Sequence, residues 1–521
     1  MEHSDAAKQV AQRALEFANR GDRESAIRLF REAIQLRPSF AVAHHNLGVA
    51  LADSGKSHDA IASFREAIRL NPDYSDAYYN LGILLNQSGK SREALETLSV
   101  AHRLRPNHPE TLNNLGLALI YQKRSDEAIV LLRHALRICP TLTAAYNNLG
   151  LAYADTGEYV KAEDCFEHAL SIHPNAIESL NNLASLYRDW GKFARSLATY
   201  DLALTLDPQH ISTRWNRSLC LLQMRRYSLG WAEYECRRNK PGQVILSFPQ
   251  PYWDGGSLDG RTLLLHAEQG RGDAIQFIRF ANLIPRTGRV VFFCPRDLAD
   301  VLANAPGVDQ MIVDGEPLPP FDVHASLMSL PALLGGVAPS ADTPYLFPKN
   351  VLRPEWAAVL DDSRLKVGVA WQGNPQHSND HHRSIRLREF GDLAQIPAIQ
   401  LVSLQRGHGT EQIAEFKAKR PLLALEQDTD DRRAFGDLAA LISSLSVVVT
   451  VDTAVAHLAG ALGVETLVLI SAHTDWRWHT HGVESDWYAN VSIIRQKTLD
   501  DWEPVIAEVY RRLERRIPQS K

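Results

Sequence analysis

Over the first two hundred residues, apolar positions recur at helical spacing in paired segments, and one phrase returns at a fixed interval. HNLGVALADSGKSHDAIASFREAIRLNP, YNLGILLNQSGKSREALETLSVAHRLRP, NNLGLALIYQKRSDEAIVLLRHALRICP and NNLGLAYADTGEYVKAEDCFEHALSIHP each predict two amphipathic helices, a turn at SGK or TGE, and a closing proline. Pro38, Pro72, Pro106, Pro140, Pro174 and Pro208 stand 34 residues apart, so six units fill about residues 7 to 210. One such unit cannot bury its apolar stripe alone; stacked on its neighbours it can, and the period predicts an α-superhelix. A seventh unit, STRWNRSLCLLQMRRYSLGWAEYECRRNKP, matches poorly and predicts a cap docked on another domain.

Beyond Pro241 the helical period stops, and FPQPYWDGGSLDG supplies the turn residues of a linker over 241–260. The runs TLLLH (262–266), RVVFFC (289–294), LKVGVAW (365–371), IQLVSLQ (399–405), SVVVTV (446–451) and ETLVLI (465–470) are short, apolar and rich in β-branched residues, with helical segments between several of them. That alternation predicts parallel sheets covered on both faces. PLPPFD and LFPKNVLRPEW interrupt it, which places a boundary near residue 350. The predicted fold is therefore α + α/β. An N-terminal superhelix (1–240) precedes two Rossmann-like halves, 261–350 and 351–521, with a ligand cleft outside the carboxyl ends of their strands.

Composition changes this picture little. A chain of 521 residues buries sizeable cores without staples. Its five cysteines form no CxxC pair, which argues against a disulfide framework or zinc knuckle and fits a reducing, cytoplasmic setting. A net charge of −5 speaks against a general nucleic-acid surface. The first residues carry charges throughout, and Asp452 or His457 breaks the longest apolar runs, so neither a leader nor a membrane span is expected.

The polar residues inside apolar runs carry the chemistry. In VVVTVDTAVAHLAGALG, Asp452 and Thr453 end a buried strand and a helix begins at Ala454, whose free N–H groups and dipole favour an anion such as a diphosphate. His457 lies four residues after Thr453 on the same helix face. The plainer alternative makes Asp452 a helix cap and His457 a core histidine. In HAEQGRGDAIQFIRF, Gly270 and Gly272 turn a strand into a helix that starts at Asp273, and Asp273 by spacing alone is an ordinary N-cap. In WQGNPQHSNDHHRSIRL, Asn374, Arg383 and Ser384 are placed to meet a ligand, with Arg383 suited to a bidentate phosphate contact. His377, His381 and His382 lack an acidic or cysteine partner at ligand spacing, so no metal is expected there. Asp428-Thr429-Asp430 spells DxD in a polar loop and reads as accidental, while Trp476, Arg477 and Trp478 suit either a base or sugar platform or a buried corner. Asn46, Asn80, Asn114, Asn148, Asn182 and Asn216 hold one column of the repeats. Such amides can pair with the backbone of an extended peptide, or with the neighbouring repeat.

These units resemble tetratricopeptide repeats, and the asparagine column resembles the ladder in the repeat domain of O-linked N-acetylglucosamine transferase. Residues 261 to 515, through GRGD, the Trp-x-Gly-Asn loop and above all VDTAVAHLAGALG, resemble the glycosyltransferase family 9 fold of lipopolysaccharide heptosyltransferases. The resemblance implies a GT-B, inverting, metal-independent enzyme with a nucleotide-sugar as substrate and no cofactor. It implies that Asp452, Thr453, Ala454 and His457 form the donor loop, that Arg383 stands near a basic phosphate contact, and that Asp273 matches the base. The first half, about 90 residues, is shorter than a heptosyltransferase acceptor domain, which turns the expected acceptor from lipopolysaccharide to a protein or peptide held by the repeats. The alternative is a scaffold whose α/β part binds a nucleotide-sugar, or nothing, without turnover. A third reading, a spindly-like O-GlcNAc or O-fucose transferase, shares the domain plan but has a different catalytic half, and the Asp-Thr-Ala…His loop argues against it.

Overall fold

The computed structural model describes every residue except 1, 241, 243–245, 378, 417, 419–420, 426–433 and 518–521, and only the backbone of residues 2 and 3. The chain forms two compact units, Met1–Leu186 and Tyr187–Lys521. The predicted linker sets the division near residue 240; by compactness it falls about fifty residues earlier, because the last repeats share a core with the α/β part.

The first unit is a stack of helix pairs such as Ala41–Asp53 with Ser57–Leu70 and Ser75–Gln87 with Ser91–Leu104. The glycine of each NLG phrase lets its helix close on a large side chain of its partner. A Cβ on Gly48 would lie 2.7 Å from Phe64, and one on Gly150 2.6 Å from Phe166. Turns within the pairs need a left-handed residue: Gly55, Gly89 and Gly157 supply it at φ 73°, 71° and 77°, while Lys123 adopts φ 60° at the same place in its unit.

In the second unit, the helices Phe193–Leu206, Ile211–Gln223 and Tyr227–Tyr234 lead into two all-parallel sheets. The first holds β1 (Thr262–His266), β2 (Arg289–Cys294), β3 (Gln310–Val313) and β4 (Val323–Ser326) in the order β3-β2-β1-β4. The second holds β5 (Leu365–Ala370), β6 (Ile399–Ser403), β7 (Val447–Val451), β8 (Thr466–Ile470) and β9 (Val491–Arg495) in the order β6-β5-β7-β8-β9. β6, β7 and β8 are buried along their whole length, as sheets covered on both faces require.

The degenerate seventh unit is built into this core. Trp231 and Tyr234 are fully buried, and Trp231 meets Trp476 and Phe277 edge-on at centroid distances of 5.4 and 5.7 Å. Next to them, the buried Arg237 holds Glu268 through two N–H···O bonds of 2.9 Å at the carboxyl end of β1, and reaches Ser329 Oγ at 2.7 Å. Arg225 and Tyr227 bind Asp486 at 2.6–2.7 Å. Aromatic and basic residues thus replaced the repeat consensus where a new surface had to be met.

Candidate functional site

The segment after β7 turns into the helix Ala454–Ala461, capped at Thr453. The helix Arg271–Phe277, which follows β1, packs its first turn directly against it. A Cβ on Gly272 would stand 2.9 Å from His457 Cδ2 and 3.4 Å from Ala454 Cα, so only glycine permits this approach. The glycine loop and the Asp-Thr-Ala…His segment, far apart in sequence, meet here.

Asp273 departs from its expected place. The N-cap of its helix is Gly270, and Asp273 sits at the third helical position, where its Oδ2 accepts from Gly270 N–H at 2.9 Å. Its Oδ1 accepts from Arg477 Nη2. The two glycines shift the helix start by three residues, since Gly270 takes the extended cap conformation at φ −84°, ψ 168°.

Arg477 is the hub. It donates through Nε to Gln276 at 2.9 Å and through Nη1 to Asp475 at 3.0 Å, and it lies 4.4 Å from the centre of the Trp476 ring. It therefore ties the loop after β8 to the helix after β1. Trp478 is fully buried and Trp476 nearly so, with Trp476 at the edge of a cleft.

A cleft of about 220 Å³ opens at the carboxyl ends of β7 and β8. Asp452, Arg383, His377 and Asp475 line one part, and Arg188 and Gln223 from the last repeat helices line another. Typical small-molecule sites hold roughly 300–1,000 Å³, so this cavity matches a phosphate-bearing fragment better than a whole nucleotide-sugar. Burial, then the neighbouring Asp475, pushes the Asp452 carboxyl above the ordinary aspartate range. Asp475 is held below it by Arg477 despite burial. Burial, then Arg383, lowers His377.

Of the expected site residues, Asp452 and Arg383 line the cleft, and Thr453 and Ala454 begin the adjoining helix. His457 is drawn away from it. It is 5 % exposed, stacks on Trp478 at 5.5 Å, bonds Tyr488 Oη through Nδ1 at 2.9 Å, and burial and then Arg477 lower its pKa to about 3. Asn374 is exposed, and its side chain accepts from Gln376 N–H at 3.0 Å in a turn. Ser384 Oγ is spent on Gly373 N–H at 3.1 Å, while Arg383 contacts Asp380 at 3.3 Å. His382 meets Asp500 at 3.0 Å. Asp428, Thr429 and Asp430 lie outside the described residues.

In the repeat column every asparagine is partly buried. Asn80 bonds His45 of the preceding unit at 2.9 Å, Asn148 bonds Asn113 at 2.9 Å, and Asn114 donates to Glu110 O at 2.9 Å. Sequence reasoning missed Arg188, Gln223 and Asp475 at the cleft. Asp475 follows a strand end and was findable by that rule; the two repeat residues carry no local signal.

Comparison with known proteins agrees with this architecture. Residues 14–55, 45–109, 108–172 and 141–209 match models of the tetratricopeptide repeat, and residues 432–500, which hold β7, the Asp-Thr-Ala…His segment and β8, match Glycosyltransferase family 9 (heptosyltransferase). The chain thus joins tetratricopeptide repeats to a region of glycosyltransferase family 9 type. It is 26 % identical over 323 residues to Protein FlbA of Caulobacter vibrioides (strain ATCC 19089 / CIP 103742 / CB 15), covering 56 % of this chain and 53 % of FlbA. The chain therefore spans about half the length of the curated relative it matches. Among solved structures, a tetratricopeptide repeat protein from Parabacteroides merdae ATCC 43184 is 20 % identical with a TM-score of 0.42, covering 46 % of this chain and 94 % of that one. YrrB, a TPR protein with an unusual peptide-binding site, is 21 % identical with a TM-score of 0.30, covering 36 % and 98 %. No helix among the described residues is long and apolar enough to cross a membrane.

Proposed function

We propose that the protein is an inverting, metal-independent glycosyltransferase that moves a sugar from a nucleotide-sugar to a polypeptide bound by its repeats. The observation that carries this reading is the cleft at the carboxyl ends of β7 and β8, where Asp452 and the loop after β8, from the stretch that matches glycosyltransferase family 9, share a wall with Arg383 from outside it. An acceptor hydroxyl gives its proton to a carboxylate as its oxygen attacks the anomeric carbon. The bond from that carbon to phosphate breaks, and the nucleoside diphosphate leaves with the electron pair. Arg383 and the first turn of the helix Ala454–Ala461 stabilise the charge that grows on the leaving group. Tetratricopeptide repeats typically mediate protein binding, and the asparagine column is the proposed contact. An amide has two N–H donors and an oxygen, so one bond to a neighbouring repeat does not exhaust it.

Asp273 is the base that the family resemblance implies, and to act it must release Arg477. A second reading gives the proton to Asp452, which already lines the cleft and whose raised pKa makes it the stronger base. The two are separable. With Asp273 as base, Asp273→Asn lowers turnover by roughly 10² to 10⁴ with donor affinity kept. With Asp452 as base, that loss belongs to Asp452→Asn, and the wild-type rate falls on acidification from a pH above the ordinary carboxylate range. The first measurement is calorimetry with nucleoside diphosphates and their sugars, with and without EDTA. Binding that disappears with the chelator ends the metal-free reading, and donor binding without turnover on any polypeptide favours the scaffold.

A further inference from the structure

The cleft is not built from the α/β sheets alone. Arg188 and Asp189 end the helix Ile177–Asp189, and Gln223 ends the helix Ile211–Gln223; all three share a cavity wall with Asp452 and Arg383. The Arg188 side chain is 18 % exposed and that of Asp189 37 %. Arg188 holds Asp189 through Nε at 2.9 Å and Nη2 at 2.9 Å, and among the described residues nothing accepts from its Nη1.

A contact between sequence neighbours with a half-open carboxylate contributes little and is readily exchanged. A phosphate group offers the same guanidinium a bidentate, charge-assisted bond on a wall that is mostly shielded from water. The lining also has a composition that bare phosphate does not require. Two arginines stand beside the carboxylates of Asp452 and Asp475, which can accept hydroxyl protons. A glycosyl phosphate carries both complements, an anion and a ring of hydroxyls.

We infer that Arg188, although it belongs to the repeat helices, is a ligand-holding residue that grips the phosphate of a glycosyl diphosphate donor together with Arg383, displacing Asp189 as it does so. This deepens the proposed function and rests on it. It also makes the last repeats part of the donor site, so donor binding and repeat structure are coupled by a shared side chain.

The test is calorimetric titration of the full chain with inorganic pyrophosphate and with ADP, GDP and UDP, using wild type, Arg383→Gln, Arg188→Gln and Asp189→Asn. Arg188→Gln is expected to weaken binding about tenfold, the loss of one charge-assisted contact. Asp189→Asn is expected to tighten pyrophosphate several-fold, because it removes a competing carboxylate from the wall. A merely structural pair predicts the opposite sign for Asp189→Asn or no change, and either result overturns the inference. The Asp189→Asn arm decides alone should Arg188→Gln fail to fold by circular dichroism. If wild type binds none of the four probes, the donor-site reading itself falls. If it binds and Arg383→Gln weakens binding while Arg188→Gln does not, only the role of Arg188 is lost.

Discussion

At the residue scale, Arg477 holds more of the site together than any residue that spacing singled out. Its partners Asp273 and Gln276 lie on the helix after β1 and Asp475 in the loop after β8, and its own side chain is only 12 % exposed. Replacing it by Gln leaves the part-buried carboxylates of Asp273 and Asp475 without their shared cation, a defect that costs up to roughly 3 kcal/mol, at the low end for a buried pair because Asp475 is partly exposed. Urea denaturation of Arg477→Gln is expected to show that loss; a change below about 1 kcal/mol would make the pair dispensable. His457 and His266 give a second prediction at this scale. Burial holds their native pKa values at about 3 and about 4, against an ordinary 6.5, so both are neutral in the fold. The unfolded chain binds these protons first as pH drops. The stability they contribute is whole above pH ~6.5 and is lost as pH falls toward their native values, by up to about 1.4 kcal/mol per pH unit per histidine. The melting temperature should fall between pH 6.5 and 4.5, and less steeply in His457→Gln; equal slopes would show that His457 does not titrate this way. Sequence placed His457 beside a ligand because four residues of helix separate it from Thr453. Tertiary packing turned that same helix face toward Tyr488 and Trp478.

At the scale of single elements, the repeats obey their period closely enough that exceptions can be tested. Lys123 takes the left-handed conformation that glycine supplies in neighbouring units. Lys123→Gly removes Cβ strain of roughly 1 kcal/mol, partly offset by the greater freedom of glycine when unfolded, so a melting temperature raised by one or two degrees is expected in a thermal scan. Arg225 holds φ 61° at the corresponding place and keeps it for its bonds to Asp486, so Arg225→Gly should destabilise instead. The asparagine column has two roles to separate. Asn114, Asn148 and Asn182 changed together to Ala should cost about 1 kcal/mol for each internal bond removed and abolish capture of polypeptides from lysate. Unchanged capture would assign the column to the spacing of the repeats alone. In the α/β part, β1, β2, β5, β6, β7 and β8 were legible as apolar runs, whereas β3 (QMIV), β4 (VHAS) and β9 (VSIIR) were not. Four or five residues with polar members carry too little pattern; they become strands because a parallel neighbour supplies the hydrogen bonds.

At the scale of the molecule, the seventh unit belongs energetically to the α/β part. A fragment beginning at residue 241 lacks Arg237, Trp231 and Tyr234, leaving Glu268 buried without its cation and Phe277 and Trp476 without their cover. Fragment 175–521 should express as a soluble, cooperatively melting protein and fragment 241–521 should aggregate, as gel filtration would show; a soluble, folded 241–521 would refute this coupling. The sequence by itself determined the repeat period, the two-sheet α/β grammar and the Asp-Thr-Ala…His turn. Each is written in local spacing, which sets helix faces, strand burial and caps without reference to distant residues. Only the tertiary structure decided that Asp273 faces Arg477, that His457 points into the core, and that Arg188 and Gln223 share a cleft with Asp452. The first and last depend on surfaces that pack across more than two hundred residues of chain, and the second on Tyr488, 31 residues away; contacts between separate elements leave no period in the sequence to read.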